Sequence, residues 1–136
     1  MITAVDTNVL IDIFTEDAEF AEHSAAAVRE ALARGVLVAC EVVWAETAAL
    51  FPEEAAFRNA VRTLGVVSMA LTEESAMEAG RAWKRCRAAG GARSRVISDF
   101  LIGAHALRQC DGLLARDRGF YAKYFPALSV TDPSRG

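Results

Sequence analysis

Short apolar segments alternate with longer segments of helical periodicity along the 136-residue chain, and this alternation limits the folds that it can adopt. The predicted strands are residues 2–5, 36–39, 66–67, 113–115 and 128–130. The predicted helices are residues 7–14, 18–34, 41–50, 53–64, 72–89, 98–109 and 117–124. Short strands that are apolar throughout and alternate with helices are typical of a parallel sheet covered on both faces. We therefore expect one α/β domain, residues 1–136, with a five-stranded parallel sheet flanked by helices.

The composition excludes several classes of protein. Hydrophobic residues make up 53% and charged residues 24% of the chain, which excludes a disordered or low-complexity protein. No apolar run approaches the ~20 residues of a membrane span, and we see no signal peptide, so we expect no membrane association. Three cysteines without CxxC spacing suggest a reducing compartment, and we expect a cytoplasmic protein. Two histidines, His23 and His105, are too few for a His-rich zinc site.

The net charge of -3 conceals an uneven distribution of charge. Residues 1–68 contain 11 acidic and 4 basic residues, whereas residues 69–136 contain 7 acidic and 11 basic residues. Six bases lie between Arg81 and Arg95 without an intervening acid. Arginine is well shaped to bind phosphate through two parallel hydrogen bonds. The candidate RNA-binding residues are Arg85, Arg87, Arg93, Arg95, Arg116 and Arg118, and the alternative is that the basic run is a solvated helix face.

Two aspartates directly follow predicted strands. Asp6 follows the first strand, and Asp117 lies two residues beyond the fourth. In an open parallel sheet, ligands bind beyond the carboxyl ends of the strands, where the strand order reverses. Both aspartates are therefore placed where chemistry would occur, although each could instead cap the helix that follows it.

Two further acids are candidates for the same edge of the sheet. Glu46 shares a helix face with Val42, Val43, Ala49 and Leu50, and a carboxylate in an apolar stripe is costly unless it has a partner. We therefore expect Glu46 to be buried. Asp99 lies in the first turn of a helix that we expect Ser98 to cap, on a face of small residues that points inward. An acid favoured there only by the helix dipole is the alternative for Asp99.

Together the four acids indicate a metal site. Carboxylates in one cleft repel one another by roughly 3 kcal/mol per pair at ~5 Å and an effective dielectric constant of about 20, so a cation must offset the repulsion. Oxygen ligands without His or Cys favour Mg²⁺ or Mn²⁺. Such an ion lowers the pKa of a bound water and neutralises phosphate charge, as phosphodiester hydrolysis requires.

These residues resemble a known family. The segments DTNVLI from Asp6, VVWAETAAL around Glu46, SDFLIGAHAL from Ser98 and LLARDRGFYAKYF from Leu113 resemble the PIN-domain endoribonucleases, and most closely the VapC-type toxins of toxin–antitoxin pairs. The resemblance implies a three-layer PIN-like fold and metal-dependent cleavage of RNA by Asp6, Glu46, Asp99 and Asp117. It also implies a homodimer that is inhibited by a cognate antitoxin. Ala115 departs from the family, in which a small hydroxyl residue, often Thr, is common at this position.

Other readings of the motifs remain open. Thr7 and Asn8 could orient Asp6 or cap the first helix, and we expect capping. We expect packing roles for His105 and for the aromatic residues Trp44, Trp83, Tyr121, Tyr124 and Phe125. A phosphatase of the haloacid-dehalogenase type also uses an aspartate after the first strand, but it needs a second one where this chain has Asn8. The third possibility is a non-catalytic protein-binding module on the same fold.

Overall fold

The sheet has five parallel strands, as the sequence predicts. The computed structural model describes residues 1–90 and 97–135. The strands are β1 (Ile2–Val5), β2 (Val36–Ala39), β3 (Val66–Ser68), β4 (Gly112–Leu114) and β5 (Val130–Thr131), and their order in the sheet is β3-β2-β1-β4-β5. β4 begins one residue before its predicted start and β5 two residues after. Thr3, Ala4 and Val5 of the central strand are all buried, so both faces of β1 are covered.

Seven α-helices connect or follow the strands within the described residues. They are α1 (Thr7–Phe14), α2 (Ala21–Arg34), α3 (Glu41–Ala48), α4 (Glu54–Leu64), α5 (Glu73–Ala88), α6 (Ile97–Gln109) and α7 (Arg118–Tyr124), and a 3₁₀ turn covers Pro133–Arg135. The predicted start of the second helix, at residue 18, was wrong. Oδ1 of Asp17 instead accepts the backbone N–H groups of Glu19 and Phe20 in a turn that delays α2 to Ala21.

Helix ends test the predicted caps. Thr72 caps α5, because its Oγ1 accepts the N–H of Ser75 at 3.1 Å. Gly65 ends α4 in the left-handed conformation, with φ 93°. Ser98 does not cap α6, since the helix already begins at Ile97. Five of the six residues of the predicted basic loop, 92–96, lie outside the described residues.

Helices α5 and α6 pack against each other in opposite directions. Thr72 and Ser75, at the start of α5, both donate hydrogen bonds to Oε1 of Gln109, the last residue of α6. Gly103 permits close packing on α6, since an added Cβ would lie 2.5 Å from the ring of Phe125. The start of α6, which carries Asp99, therefore lies beside the end of α5.

The strand order reverses at β1 and β4. The chain proceeds outward from β1 through β2 to β3, and it then returns to add β4 on the other side of β1. The carboxyl ends of β1 and β4 therefore flank the switch point, where ligands bind in open α/β sheets. No helix in the described ranges 1–90 and 97–135 is long and apolar enough to cross a membrane.

Candidate active site

Asp6 lies at the carboxyl end of β1 and is held there by two hydrogen bonds. Its N–H donates to the carbonyl oxygen of Leu114 at 2.9 Å, which joins the ends of β1 and β4. The Tyr121 hydroxyl donates to Oδ2 of Asp6 at 2.8 Å. Asp6 occupies the N-cap position of α1, yet its side chain makes no capping hydrogen bond. The carboxylate is therefore directed to Tyr121 rather than to the helix, which argues against capping as its main role.

Burial raises the pKa of Asp6 from 3.8 to about 6. The hydrogen bond from Tyr121 opposes this shift, and the carboxylates of Asp99 and Glu46 add to it. A like charge raises the pKa of an acid only when it lies near enough to act on it. The structure therefore brings Asp6, Asp99 and Glu46 to one end of the sheet.

Glu46 is exposed, so the prediction that it is buried was wrong. Its apolar neighbours do not form one stripe, because α3 ends at Ala48 and Leu50 is 48% exposed. Val43 and Thr47 form the buried side of α3 instead. The Thr7 hydroxyl donates to Oε1 of Glu46 at 2.7 Å. Thr7 thus holds Glu46 beside the start of α1, a role in place of the expected capping.

Asp99 and Asp117 complete the acidic end of the sheet. Asp99 is half-buried in the first turn of α6, and Asp117 is half-buried at the N-cap position of α7 without a capping hydrogen bond from its side chain. Burial raises the pKa of Tyr121 well above its usual value, and the carboxylates of Asp6, Asp99 and Asp117 raise it further. Tyr121 therefore lies within electrostatic reach of three of the four predicted site acids.

The four acids have the donor chemistry of a hard-cation site. All their ligand atoms are oxygens, and their mutual repulsion would be relieved by a divalent cation. Within residues 1–90 and 97–135, however, no three Asp, Glu, His or Cys side chains already converge tightly enough to hold a metal ion. The residue types thus fit Mg²⁺ or Mn²⁺, and binding would have to draw the carboxylates closer together.

Asp12 and Arg116 form a buried ion pair beside this site. Nε and Nη2 of Arg116 donate to Oδ2 and Oδ1 of Asp12 at 2.8 and 3.1 Å, and Ser24 donates to Oδ2 at 3.0 Å. The guanidinium lies 4.1 Å from the ring centroid of Phe20. The Arg116 N–H donates to Oδ1 of Asn8 at 3.5 Å. These contacts attach the segment that carries Asp117 to α1 and α2.

The other candidate arginines have different surroundings. Arg85 and Arg87 are exposed near the end of α5, and the guanidinium of Arg87 lies 5.2 Å from the Trp83 ring centroid. Arg118 is exposed at the start of α7. Arg93 and Arg95 lie outside the described residues. The arginines of the notional RNA surface therefore stay predictions, and Arg87 and Arg116 already contact side chains of their own chain.

Sequence reasoning missed two polar contributors to this region. Tyr121 was expected to pack, as Tyr124 and Phe125 do in an aromatic cluster with Phe100. A signal was available, since Tyr121 lies four residues after Asp117 and so one helical turn away on the same face. Asp12 was not singled out, although an acid among the apolar residues of α1 invites a search for a partner.

Comparison with known proteins decides the family. The family model described as PIN domain matches residues 3–126. The chain belongs to the PIN domain family. This PIN domain therefore has the fold and family that the sequence motifs indicated. No curated protein matches its sequence.

Solved structures share the fold of this PIN domain at low sequence identity. VapBC-1 from nontypeable Haemophilus influenzae matches with a TM-score of 0.74 and 18% identity, covering 98% of this chain and 99% of that chain. VapBC2 from Rickettsia felis, bound to a DNA fragment from its promoter, matches with a TM-score of 0.71 and 16% identity over 97% and 98% of the two chains. FitAcB from Neisseria gonorrhoeae matches with a TM-score of 0.68 and 17% identity over 98% of each chain.

Proposed function

We propose that this PIN domain is a metal-dependent endoribonuclease, the toxin of a toxin–antitoxin pair, that hydrolyses RNA phosphodiester bonds. The observation that carries the proposal is the raised pKa of Asp6, to which Asp99 and Glu46 contribute at the switch point of the sheet. Acids that repel one another at a ligand-binding edge are useful when a cation binds there. Asp6, Glu46, Asp99 and Asp117 would hold Mg²⁺ or Mn²⁺.

The chain's own residues have separate tasks in this mechanism. Tyr121 orients the Asp6 carboxylate and favours its charged form, and Thr7 fixes Glu46. The Asp12–Arg116 pair positions the segment that carries Asp117. When bound, the metal would lower the pKa of a water and neutralise phosphate charge. Arg85, Arg93, Arg95 and Arg118 are proposed to contact the RNA backbone.

The proposed partners are a cognate antitoxin, RNA and a second copy of the chain. Support for an antitoxin comes from the similarity to chains in VapBC and FitAB complexes, including VapBC-1 and FitAcB. All three cysteines are free thiols, which supports a reducing compartment such as the cytoplasm.

Two other functions are less well supported. A haloacid-dehalogenase-type phosphatase needs a second aspartate at position 8, where Asn8 accepts the N–H of Arg116. A non-catalytic binding module on this fold would gain nothing from the repulsion among Asp6, Glu46 and Asp99, which lowers stability.

Incubation of total RNA with the purified chain tests the proposal. We expect internal cleavage in Mg²⁺ or Mn²⁺, with products that share ends at defined positions, and loss of cleavage after exhaustive chelation with EDTA. Restored cleavage when Mg²⁺ is added back separates metal removal from damage by the chelator. Hydrolysis of a small phosphate monoester without RNA cleavage would support the phosphatase, and the absence of both activities would support the binding module.

A further inference from the structure

The helix α5 has an outward face whose side chains project away from the rest of the domain. Met77 is 58% exposed, and the small residue Gly80 lies one turn further along the helix. The opposite face of α5 is buried through Ser75, Ala79 and Cys86, among others. With 3.6 residues per turn, the outward face consists of residues within about 60° of Gly80 around the helix axis. Its main members are Glu73, Met77, Gly80, Trp83, Lys84 and Arg87.

Gly80 has no explanation within its own chain. A glycine in a helix interior destabilises the helix relative to alanine. At Gly103 on α6, the ring of Phe125 excludes even a Cβ atom, but a Cβ added at Gly80 would meet no atom of the chain within 4 Å. Glycine on an exposed helix face allows another backbone to approach closely.

The charges on the outward face are opposite at the two ends of α5. The first turn carries Glu73 and Glu74, and the last turns carry Lys84, Arg85 and Arg87. Shallow grooves flank Gly80 on either side. One is lined by Glu73 and Met77 among others, and the second includes Trp83 and Arg87. The face is thus acidic at one end, basic at the other and small at its centre.

This distribution is complementary to itself when two copies are placed antiparallel. Glu73 lies seven residues before Gly80 and Arg87 seven residues after it, so a two-fold axis at Gly80 places Glu73 of one copy against Arg87 of the other. Met77 and Trp83, each three residues from Gly80, are paired in the same way. Two-fold contacts use the same patch on both subunits, and such pairing of opposite charges fixes their register.

We propose that the outward face of α5 is the contact between two copies of this chain, packed antiparallel across Gly80. The inference makes specific the homodimer of the proposed function, but it uses none of the four site acids and stands apart from nuclease activity. RNA is a poorer occupant for the whole face, because Glu73 and Glu74 would repel its phosphates. Arg87 then belongs to the subunit contact, whereas Arg85 points away from the face and stays available to RNA.

Sedimentation equilibrium over a range of protein concentrations, with no RNA or metal present, tests the contact. We expect the unaltered chain to be a dimer and Gly80→Leu to weaken dimerisation by at least about 100-fold. Gly80→Leu should melt at the same temperature as the unaltered chain or higher when both are compared as monomers, since leucine favours helix and meets no obstruction in its own chain. Arg85→Ala, on the same helix but off the face, is the matched control and should remain dimeric.

Charge reversal tests the antiparallel register independently of Gly80. Glu73→Arg alone and Arg87→Glu alone should each be monomeric, since like charges then meet twice across the axis. A 1:1 mixture should form a heterodimer, because both opposite-charge pairs return. A monomeric unaltered chain, a dimeric Gly80→Leu or a mixture that does not associate would each overturn the proposal. Weaker RNA binding by Gly80→Leu and Arg87→Glu with unchanged dimerisation would instead assign the face to RNA. RNA cleavage, measured separately, tests the proposed function whichever result is obtained.

Discussion

The Tyr121 hydroxyl donates a 2.8 Å hydrogen bond to Oδ2 of Asp6, a residue 115 positions earlier in the chain. Both groups are buried, and Asp6 is among the carboxylates that raise the pKa of Tyr121. The phenol therefore stays protonated at neutral pH and acts as a donor to the carboxylate. This bond links α7 to the end of β1 and gives the acidic edge its most buried contact.

Tyr121→Phe removes that donor without changing the packing of the ring. A hydrogen bond to a charged group contributes about 1.5–3 kcal/mol, so we expect a loss of this order in the free energy of unfolding at pH 7.5. The pKa of Asp6 should rise further above its value of about 6 in the unaltered chain. Urea unfolding and NMR titration of the Asp6 carboxyl carbon check these effects. Tyr124→Phe is the control, and an Asp6 pKa unchanged by Tyr121→Phe would contradict the assigned hydrogen bond.

Asp6 should make the stability of the metal-free protein depend on pH. Its pKa is about 6 in the folded chain against 3.8 for the ordinary side chain, so the folded state binds the proton more tightly. Stability should therefore rise as pH falls from about 6 to about 4, by an amount on the order of 3 kcal/mol.

The Asp6→Asn variant isolates this contribution. It should be more stable than the unaltered chain at pH 7.5, and the difference should shrink towards pH 4. Urea unfolding of both proteins in EDTA at several pH values gives the comparison. A stability difference that does not change with pH would show that Asp6 titrates normally.

The Asp12–Arg116 pair should be important for stability. The side chain of Asp12 is 3% exposed, and removal of one partner of a buried pair costs about 3–5 kcal/mol. We expect Asp12→Ala to destabilise the protein by an amount near the lower end of that range, since the Arg116 side chain is 28% exposed. Glu78→Ala, which removes the carboxylate partner of the more exposed Arg108, should cost less than about 1 kcal/mol. Equal losses in the two variants would refute a special role for Asp12.

The proposed RNA contacts of Arg85 and Arg118 should be visible in the salt dependence of binding. Each phosphate contact to single-stranded RNA contributes about 0.7 to the slope of log K against log salt concentration. Arg85→Gln combined with Arg118→Gln should therefore flatten the slope by about 1.4 and weaken binding at low salt. An Asp99→Asn background prevents cleavage during the titration. Arg58→Gln on α4 serves as the control, and an unchanged slope for the Arg85/Arg118 variant would return both arginines to a solvated surface.

Much of the fold was predictable because it follows from local patterns. Buried parallel strands are short and apolar, and Gly65 marks a helix end through its backbone conformation. The carboxyl-end positions of Asp6 and Asp117 follow from the strand assignments alone. These features depend on neighbours in sequence, so one sequence suffices to read them.

The details that sequence reasoning got wrong or missed depend on distant parts of the chain. Glu46 was expected to be buried on an apolar stripe, but Ala49 and Leu50 lie beyond the end of α3. The partner of the Tyr121 hydroxyl depends on where α7 packs against β1. The Asp12–Arg116 pair joins residues 104 positions apart, and no helical or strand periodicity relates them.

The most direct test of the central claim is RNA cleavage by Asp6→Asn at pH 7.5 in Mg²⁺, measured together with a thermal melt in EDTA. The account predicts that cleavage is abolished while the metal-free variant is at least as stable as the unaltered chain. Asp99→Asn and Asp117→Asn should behave in the same way, and Glu46→Gln should also lose activity. Asparagine caps a helix as well as aspartate does, so a capping role predicts nearly unchanged activity and stability. Retained cleavage by a well-folded Asp6→Asn variant would contradict the proposed site.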